Sequence, residues 1–308
     1  MEFKIEEEGK DIKVILMKEG TEIAKAVCYF ESTPIVDNKN IGCIGDFEVK
    51  IEEKEAGLIL LNKCEEILKE KGVKYIVAPM NGNTWKKYRT MKYTNGDDLF
   101  LLENVNPIEH NELLKEAGFK EIETYTSTKG LIKNAYKSEA LELAEENLKE
   151  ENITIRKFNK ENYIEDLKKI FNVSKSSFFR NPFYTPIDEK DFLQQYEQYI
   201  NMVDEELILI AEKEKKEIGF VFCIPNFLEA KEGKNVETLI LKTIAVLPEF
   251  EYLALGNVLL NKISKIAENK GFKQWIFAFM YRNNTSQKMA KRNNTEVIRE
   301  YALYGKEI

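Results

Sequence analysis

The sequence predicts an α/β (α+β) fold with two related domains, each built on a mixed central sheet with flanking helices. The chain has 308 residues, about twice the ~150 residues of a typical domain. Apolar residues make up 43% and charged residues 32% of it, a balance typical of a folded globular chain. The pattern of the first half also recurs in the second half, which indicates a duplicated unit.

The clearest repeated element is an amphipathic helix near residue 60 that returns near residue 260. Apolar residues follow the spacing i, i+1, i+4, i+7, i+8 in both copies, which places them on one helix face. At an offset of 199, the matched positions are Leu60, Leu61, Cys64, Ile67 and Leu68, and Leu259, Leu260, Ile263, Ile266 and Ala267. Each predicted helix stops at a glycine, Gly72 or Gly271, because glycine readily adopts the left-handed conformation of a helix end.

Predicted strands flank both copies of this helix. Residues 44–49 correspond to 243–248 before it, and Tyr75–Ala78 corresponds to Trp275–Phe279 after it. The offset is 200 at Asn83 and falls to 176 at Tyr125, which matches Tyr301. The first copy therefore contains an insertion of 24 residues between about 86 and 117.

These comparisons divide the chain into a first domain at 1–130, a charged helical connector at 131–152 and a second domain at 153–308. Each domain is expected to begin with hairpin-like strands and a helix, and then to alternate strands and helices. In the second domain the best strands are 206–211, 218–224 and 237–246. Such alternation is typical of a layered architecture with a mixed sheet.

Charge and composition exclude several functions. The net charge of −7 argues against nucleic acid or an anionic membrane as the partner. No apolar run approaches the ~18 residues of a membrane-spanning helix, and the first residues lack a signal-peptide pattern, so a cytoplasmic chain is expected. The four cysteines are isolated in apolar segments and are interpreted as buried thiols. Because His110 is the single histidine, a zinc site with two histidines is excluded and no metal is predicted.

The turn before the second repeated helix is a candidate anion site. A predicted strand ends at Pro248, and the small residues Ala254 and Gly256 precede the helix. Small residues let a ligand approach backbone N–H groups, which together with the helix dipole favour a phosphate or pyrophosphate. By spacing alone, an ordinary strand–helix turn remains the alternative.

The residues around this turn resemble a known family. Val246-x-Pro248-x-Phe250-Glu251-x-x-Ala254-x-Gly256-x-x-Leu259-Leu260 looks like the acyl-CoA signature of the GNAT N-acyltransferase superfamily, V-x-P-x-[FY]-[RQ]-x-x-G-x-[GA]-x-x-L-L. The run Asn283-x-x-Ser286-x-x-Met289 is also similar to a family pattern. In the first half, residues 45–48, 78–81 and 113–119 resemble a degenerate GNAT-like domain of tandem bacterial proteins.

The resemblance implies that the second domain uses acetyl-CoA (acyl-CoA) as co-substrate. Backbone N–H groups near residues 251–257 would hold the pyrophosphate, and the open edge at 244–246 would pair with the pantetheine amides. The implied binding residues are Ile244, Ala245, Val246, Glu251, Tyr252, Leu253, Ala254, Leu255, Gly256, Asn257, Asn283 and Ser286. The implied reaction is direct transfer of the acyl group to the amine of a small molecule or peptide. No metal, nucleic acid or membrane partner is expected. The sequence leaves the oligomeric state open.

The chain departs from the family pattern at three positions. Glu251 stands where the family has Arg or Gln, Ala254 replaces a glycine and is expected to be tolerated only at negative φ, and Ala290 replaces a frequent tyrosine acid. Glu251 and Ala290 favour the alternative of a catalytically lapsed CoA-binding or scaffolding protein. Peptidyl transfer from aminoacyl-tRNA is a third interpretation, disfavoured by the acidic charge. In the first half the matching loop, residues 52–57, has three acidic side chains, so a single CoA site is expected.

Several side chains are candidates for catalysis or for binding of the acceptor. Glu237 is a candidate base and Tyr281 a candidate acid for the departing thiolate, with Tyr301 and Tyr304 as further acids; an ordinary surface or core role is the alternative for each. Trp85 belongs either to a binding surface or to the start of a helix capped by Asn83 or Thr84. The aromatic loop 178–184 either lines the acceptor pocket or folds onto the core.

Overall fold

The structure is a computed structural model that describes residues 1–36, 39–50, 52–197, 199–200 and 203–308, with the backbone alone at residues 8, 39, 40 and 251–253. Its strands are β1 (Glu2–Glu8), β2 (Asp11–Lys18), β3 (Thr21–Tyr29), β4 (Ile35–Val36), β5 (Lys39–Asn40), β6 (Gly42–Val49), β7 (Tyr75–Ala78), β8 (Thr90–Thr94), β9 (Lys120–Leu131), β10 (Ile153–Lys157), β11 (Ile208–Lys213), β12 (Lys216–Pro225), β13 (Thr238–Val246), β14 (Gln274–Tyr281) and β15 (Glu296–Glu307). Its α-helices are α1 (Lys54–Glu70), α2 (His110–Glu116), α3 (Glu139–Glu150), α4 (Tyr163–Phe178), α5 (Glu189–Glu197), α6 (Leu228–Lys231), α7 (Leu255–Asn269) and α8 (Thr285–Arg292).

One large mixed sheet runs through both halves, which confirms the predicted fold class. Its strand order is β1-β2-β3-β6-β7-β15-β9-β14-β13-β12-β11-β10, and β8 also pairs with β15. The pairs β6–β7 and β13–β14 are parallel, and the other neighbours are antiparallel. Helices α1 and α2 cover one face of the first half, whereas α3, α7 and α8 cover one face of the second half and α4 and α5 the other.

The two halves exchange their last strands. The first half ends in β9, but β9 pairs with β14 of the second half, and the last strand of the chain, β15, pairs with β7 of the first half. Strands β9 and β15 also pair with each other, with Tyr125 opposite Tyr301. These two tyrosines are the positions that the sequence repeat matches, so an approximate twofold axis passes between them. The predicted domain limits remain a prediction, because the sheet is continuous across them.

The helices that the repeat predicts occupy equivalent places. Helices α1 and α7 bury the matched apolar residues, including Leu60 and Leu259. A Cβ atom added at Gly57 would lie 3.0 Å from Leu113 Cδ1, and one added at Gly256 would lie 3.0 Å from Met289 Cε. Glycine is needed at both positions because it lets the following helix, α2 or α8, approach closely.

The first half lacks the early helix that the sequence alternation predicted. Two residues, Gly9 and Lys10, join β1 to β2, whereas α4 and α5 lie between β10 and β11 in the second half. The expectation of a helix was therefore wrong for the first half, because a two-residue turn leaves room only for a hairpin. In the second half, residues of α4 and α5 line a cleft on that face of the sheet.

The cysteines are packing residues, as expected. Cys28, Cys43, Cys64 and Cys223 are all buried and unbridged. Burial raises the pKa of the Cys43 and Cys223 thiols, which keeps them protonated and unreactive. Among the described helices, none is both long and apolar enough to cross a membrane.

His110 is expected to titrate below the ordinary histidine value of about 6.5. Its ring packs edge-on against Phe47, with the ring centroids 4.9 Å apart, and burial lowers its pKa. The unfolded chain therefore binds the proton more tightly, so the free energy of unfolding should fall as the pH drops below about 6.5. An NMR titration of this single histidine, with urea unfolding between pH 7.5 and 5.5, measures both effects. A folded-state pKa of 6.5 or higher, or the same slope in His110→Leu, would contradict this expectation.

Candidate active site

The candidate site lies where β13 and β14 separate. The two strands pair in parallel from Thr238–Gln274 to Leu241–Phe277 and then diverge. Each strand carries an extra residue just beyond the last pair: Lys242 is the unpaired residue of β13 against β12, and β14 shifts register between Phe277 and Met280. Such bulges bend a strand and increase its twist, which explains why the strands part at this point.

The separation leaves one edge of β13 open. Residues 243–246 pair with β12 on one side, and the pairing with β14 ends at Leu241. The side of residues 243–246 that faces away from β12 has no strand partner and suits an extended ligand that adds a strand to the sheet. The Val246 carbonyl accepts a hydrogen bond from Ser177 Oγ (3.1 Å). Ile244 lines the cleft, whereas the Ala245 side chain is buried in the core.

The other end of this edge leads to the start of α7. Residues Pro248–Leu253 form a 3-10 helix, and α7 follows from Leu255, a buried residue whose side chain packs in the core. The first N–H groups of a helix have no partner within it and carry its positive dipole end. Gly256 and Asn257 lie in this first turn, and the Asn257 N–H donates to the Ala254 carbonyl (2.9 Å). The side chains of Glu251, Tyr252 and Leu253 lie outside the described residues.

Ala254 differs from the sequence expectation. Its φ is 53°, in the left-handed region, whereas the sequence analysis tolerated alanine here only at negative φ. A non-glycine residue in this conformation costs about 1–2 kcal/mol. The chain therefore keeps the turn that a glycine would adopt, at a cost in backbone strain.

Replacing Ala254 by glycine is expected to stabilise the protein. Relief of the left-handed strain outweighs the greater flexibility of glycine in the unfolded chain, so we expect Ala254→Gly to raise the free energy of unfolding by about 0.5–1 kcal/mol. Urea denaturation measures the change. As a matched control, Ala144→Gly within α3 should lower it by about 1 kcal/mol; a loss of stability in both variants would contradict the strain argument.

The equivalent position in the first half is closed. Strands β6 and β7 pair in parallel only at Gly42–Ile76 and Cys43–Val77. Beyond them, the Asn81 side chain donates from Nδ2 to Asp46 Oδ1 (2.7 Å) and accepts from the Asp46 backbone N–H (3.0 Å). Because Asn81 and Asp46 bridge the gap, the separation of β6 and β7 is not open to an extended ligand.

A cleft of about 690 Å³ surrounds the open edge. Its walls come from β13, β14, α4, α5 and the inserted part of the first half. Thirteen aromatic side chains line it: Trp85, Tyr88, Tyr125, Phe178, Tyr184, Phe192, Tyr196, Tyr199, Phe220, Phe222, Phe277, Phe279 and Tyr281. Among the described lining residues, Glu103 is the one carboxylate.

The insertion and the aromatic loop together close one side of the cleft. Trp85 donates from Nε1 to the Thr185 carbonyl (2.7 Å) and packs edge-on against Tyr184 and Phe192. Trp85 lies in a turn in which its N–H donates to Asn83 Oδ1 (3.0 Å). The alternative of a helix start at Trp85 was therefore wrong, because the segment continues to β8 as a turn.

Besides Ile244, two of the predicted site residues lie in the cleft and one lies beside it. Tyr281 and Ser286 line it. Asn283 is exposed and donates from Nδ2 to the Tyr281 hydroxyl (3.1 Å). The end of β14 and the start of α8 therefore bring these three residues together.

Glu237 lies elsewhere. It precedes β13, and its carboxylate pairs with Lys273 Nζ (2.5 Å) at the end of the strand opposite the opening. Four residues of strand, about 13 Å, separate it from Leu241. The candidate base is therefore not brought to the cleft.

Tyr301 and Tyr304 are core residues rather than acids of the cleft. Both side chains are fully buried. The Tyr301 hydroxyl donates to Glu103 Oε1 (2.8 Å), and the Tyr304 hydroxyl donates to Asn111 Oδ1 (2.9 Å). Burial raises the pKa of both, that of Tyr304 to about 12, which makes proton donation at neutral pH unfavourable.

Two residues that line the cleft, Arg89 and Lys242, were not predicted from the sequence as site residues. The Arg89 guanidinium lies over the rings of Tyr88, Tyr125 and Phe279, at 3.9, 4.5 and 4.7 Å from their centroids. Lys242 Nζ donates to the Tyr196 hydroxyl (2.9 Å). Neither residue belongs to a motif. The insertion was the one sequence signal that pointed to Arg89, because the repeat placed extra residues there.

Comparisons with known proteins agree with this geometry. Residues 167–294 match the model of the Acetyltransferase (GNAT) family. No curated protein matches the chain. No cluster of three or more His, Cys, Asp or Glu side chains within the described residues is arranged to hold a metal ion.

Solved structures share the fold at low sequence identity. A GCN5-related glucosamine N-acetyltransferase region of a fungal multi-domain GH3 beta-N-acetylglucosaminidase has a TM-score of 0.62 at 11% identity; the match covers 96% of this chain and 33% of that one. A GCN5-related N-acetyltransferase from Sphaerobacter thermophilus has a TM-score of 0.57 at 12% identity, with coverages of 96% and 80%. A tandem GNAT protein from the clavulanic acid biosynthesis pathway has a TM-score of 0.56 at 9% identity, with coverages of 96% and 82%. The chain thus spans about a third of the length of the first of these structures.

Proposed function

We propose that the protein is an N-acyltransferase that moves an acetyl or acyl group from CoA to an amine, as the match of residues 167–294 to the Acetyltransferase (GNAT) family model suggests. The observation that carries the proposal is the opening between β13 and β14. It joins an unpaired strand edge and a cleft, and the chain leads on from that strand to the N-terminus of α7. An acyl-CoA has matching parts, since its pyrophosphate suits the helix N-terminus and its pantetheine amides suit the strand edge.

The proposal implies one orientation for the bound co-substrate. With the pyrophosphate near Gly256 and the pantetheine along residues 246–244, the thioester would reach the point where the strands part, beside Lys242. Ser286, which lines the cleft, and the exposed Asn283, which donates to the Tyr281 hydroxyl, are the candidate contacts to the pantetheine arm. The acceptor would enter from the side of α4, α5 and the insertion.

Acyl-CoA supplies an activated acyl thioester. The neutral amine of the acceptor gives its lone pair to the thioester carbon, the C–N bond forms, and the C–S bond breaks with its electron pair on sulfur. The amine nitrogen loses one proton and the sulfur gains one, so the products are an amide and free CoA. Tyr281 is the candidate donor of the proton to sulfur because its side chain lines the cleft.

Thiol release with acetyl-CoA and a panel of amines tests the proposal. We expect amine-dependent release, and we expect Tyr281→Phe to slow it by about 100-fold, the lower end for loss of a general acid. Tyr93→Phe, at an exposed position of β8, should leave the rate unchanged. CoA binding without transfer to any amine would instead favour a lapsed CoA-binding protein.

A further inference from the structure

The cleft concentrates positive charge in a chain that is acidic overall. Lys86, Lys87, Arg89 and Lys242 line it, against the single carboxylate of Glu103. Glu103 is already neutralised, because its Oε1 lies 2.8 Å from Arg299 Nε within the core. The chain as a whole has a net charge of −7, so the cleft has the opposite sign from the average surface and is suited to an anion.

Arg89 keeps hydrogen-bond donors for a ligand. Its Nε donates to the Tyr88 carbonyl (3.2 Å) and its Nη1 to the Phe279 carbonyl (3.3 Å). A guanidinium has five N–H groups, and no carboxylate pairs with Arg89 among the residues that the structure describes. Its backbone is held at a φ of 72°, a strained conformation of the kind found at functional sites.

Lys242 faces the same space from the other wall. Its Nζ lies 5.0 Å from the ring centroid of Tyr196 and 5.4 Å from that of Phe222. It is the bulged residue beside the last pair of β13 and β14, and Arg89 bonds to Phe279, which lies just beyond that pair on β14. The two cations therefore bracket the point at which the strands part.

The phosphates of CoA do not explain these cations. In the proposed orientation, the pyrophosphate lies near Gly256, and the part of the co-substrate near Lys242 is the neutral thioester. With a neutral acetyl group on CoA, a negative charge at this position would come from the other reactant. The thirteen aromatic side chains of the lining give that reactant an apolar surface for the rest of its structure.

Resting on the proposed function, we propose that the acceptor is an amine that bears a carboxylate, of the class of free amino acids with a large apolar or aromatic side chain. Arg89 and Lys242 bind the carboxylate, which directs the amine towards the thioester, and the aromatic lining takes the side chain. Guanidinium and carboxylate match in geometry and form charge-assisted hydrogen bonds.

Matched acceptors test this proposal in the full chain with acetyl-CoA. L-phenylalanine, L-phenylalaninamide and phenethylamine share the amine and the ring, and the first alone carries a carboxylate. We expect kcat/KM to be at least 10-fold higher for L-phenylalanine, and we expect Arg89→Gln and Lys242→Met each to remove about 10-fold of it. Lys190→Met, at an exposed position of α5, should have no effect. Equal rates for the three acceptors, or a preference for phosphoethanolamine, would overturn the proposal.

A binding measurement separates this proposal from the proposed function. In the presence of CoA, L-phenylalanine should raise the melting temperature of the wild type and L-phenylalaninamide should not. The shift should be lost in Lys242→Met, which provides the test if Arg89→Gln does not fold. A shift without any thiol release would contradict the transferase and support the carboxylate site. Thiol release without a carboxylate-dependent shift would support the transferase and contradict the carboxylate site. A requirement for the charge on the acyl group, tested with succinyl-CoA, would also support the transferase and contradict the carboxylate site.

Discussion

Replacing Glu103 by glutamine is expected to lower the free energy of unfolding by about 3–5 kcal/mol, the cost of leaving a buried charge unpaired. The side chains of Arg299 and Glu103 are 1% and 0% exposed. Arg299 donates from Nη2 to the carbonyls of Asp97 (2.7 Å) and Asp98 (3.1 Å). These bonds satisfy Nη2, whereas the buried Nε has no hydrogen-bond partner and lies 2.8 Å from Glu103 Oε1. Glu103 is therefore the buried carboxylate that balances the charge of Arg299.

Urea unfolding of Glu103→Gln measures this effect. Glutamine keeps the size of the side chain and an oxygen that can accept from the Tyr301 hydroxyl, so the change isolates the charge. Asp98→Asn is the matched control, because Asp98 pairs with Lys234 on the surface and little measurable change is expected there. Similar small losses in both variants would contradict the account of the buried pair.

Removing the Trp85 side chain is expected to have the next largest effect. Trp85→Ala deletes an indole that is packed between Tyr184 and Phe192 and breaks the bond to the Thr185 carbonyl. We expect a loss of about 3 kcal/mol, the lower end for a large aromatic side chain replaced by alanine, because Trp85 is partly exposed. The cleft should also widen, so the KM for the acceptor should rise.

Two controls define what Trp85 contributes. Trp85→Phe keeps an aromatic ring and loses the hydrogen bond, so a loss of about 1 kcal/mol is expected. Tyr93→Ala removes an exposed aromatic side chain from β8 and should change stability by no more than about 0.5 kcal/mol. If Trp85→Ala were as mild as Tyr93→Ala, the contact between the insertion and the second half would not be a stabilising one.

Local patterns were sufficient to predict the repeated helices and the strand–turn–helix of the site. The apolar stripe of α7 is a property of neighbouring residues, and so is the stop at Gly271. The exchange of β9 and β15 could not be predicted in this way. Tyr125 of β9 and Tyr301 of β15 occupy equivalent positions, so the local pattern of either strand is compatible with pairing to β7 or to β14. Which pairing forms depends on contacts across the whole sheet.

The chemistry of the cleft was harder to predict than its location. Glu237 was chosen as a base because it precedes the right strand, but it lies at the end of β13 that faces away from the opening. Arg89 comes from the insertion and reaches the cleft only because β8 pairs with β15. A single sequence does not reveal such a contact, since 190 residues separate Arg89 from Phe279.

Calorimetric titration with CoA tests the central claim most directly. The open edge of the second half and the bridged gap between Asn81 and Asp46 predict one CoA bound per chain. At a free concentration of 100 times the dissociation constant, CoA should stabilise the fold by about 2.7 kcal/mol. Ser286→Trp, which places an indole in the cleft, should abolish binding, and Ser176→Trp on the exposed face of α4 should not. The absence of heat with the wild type, or a stoichiometry of two, would contradict the account.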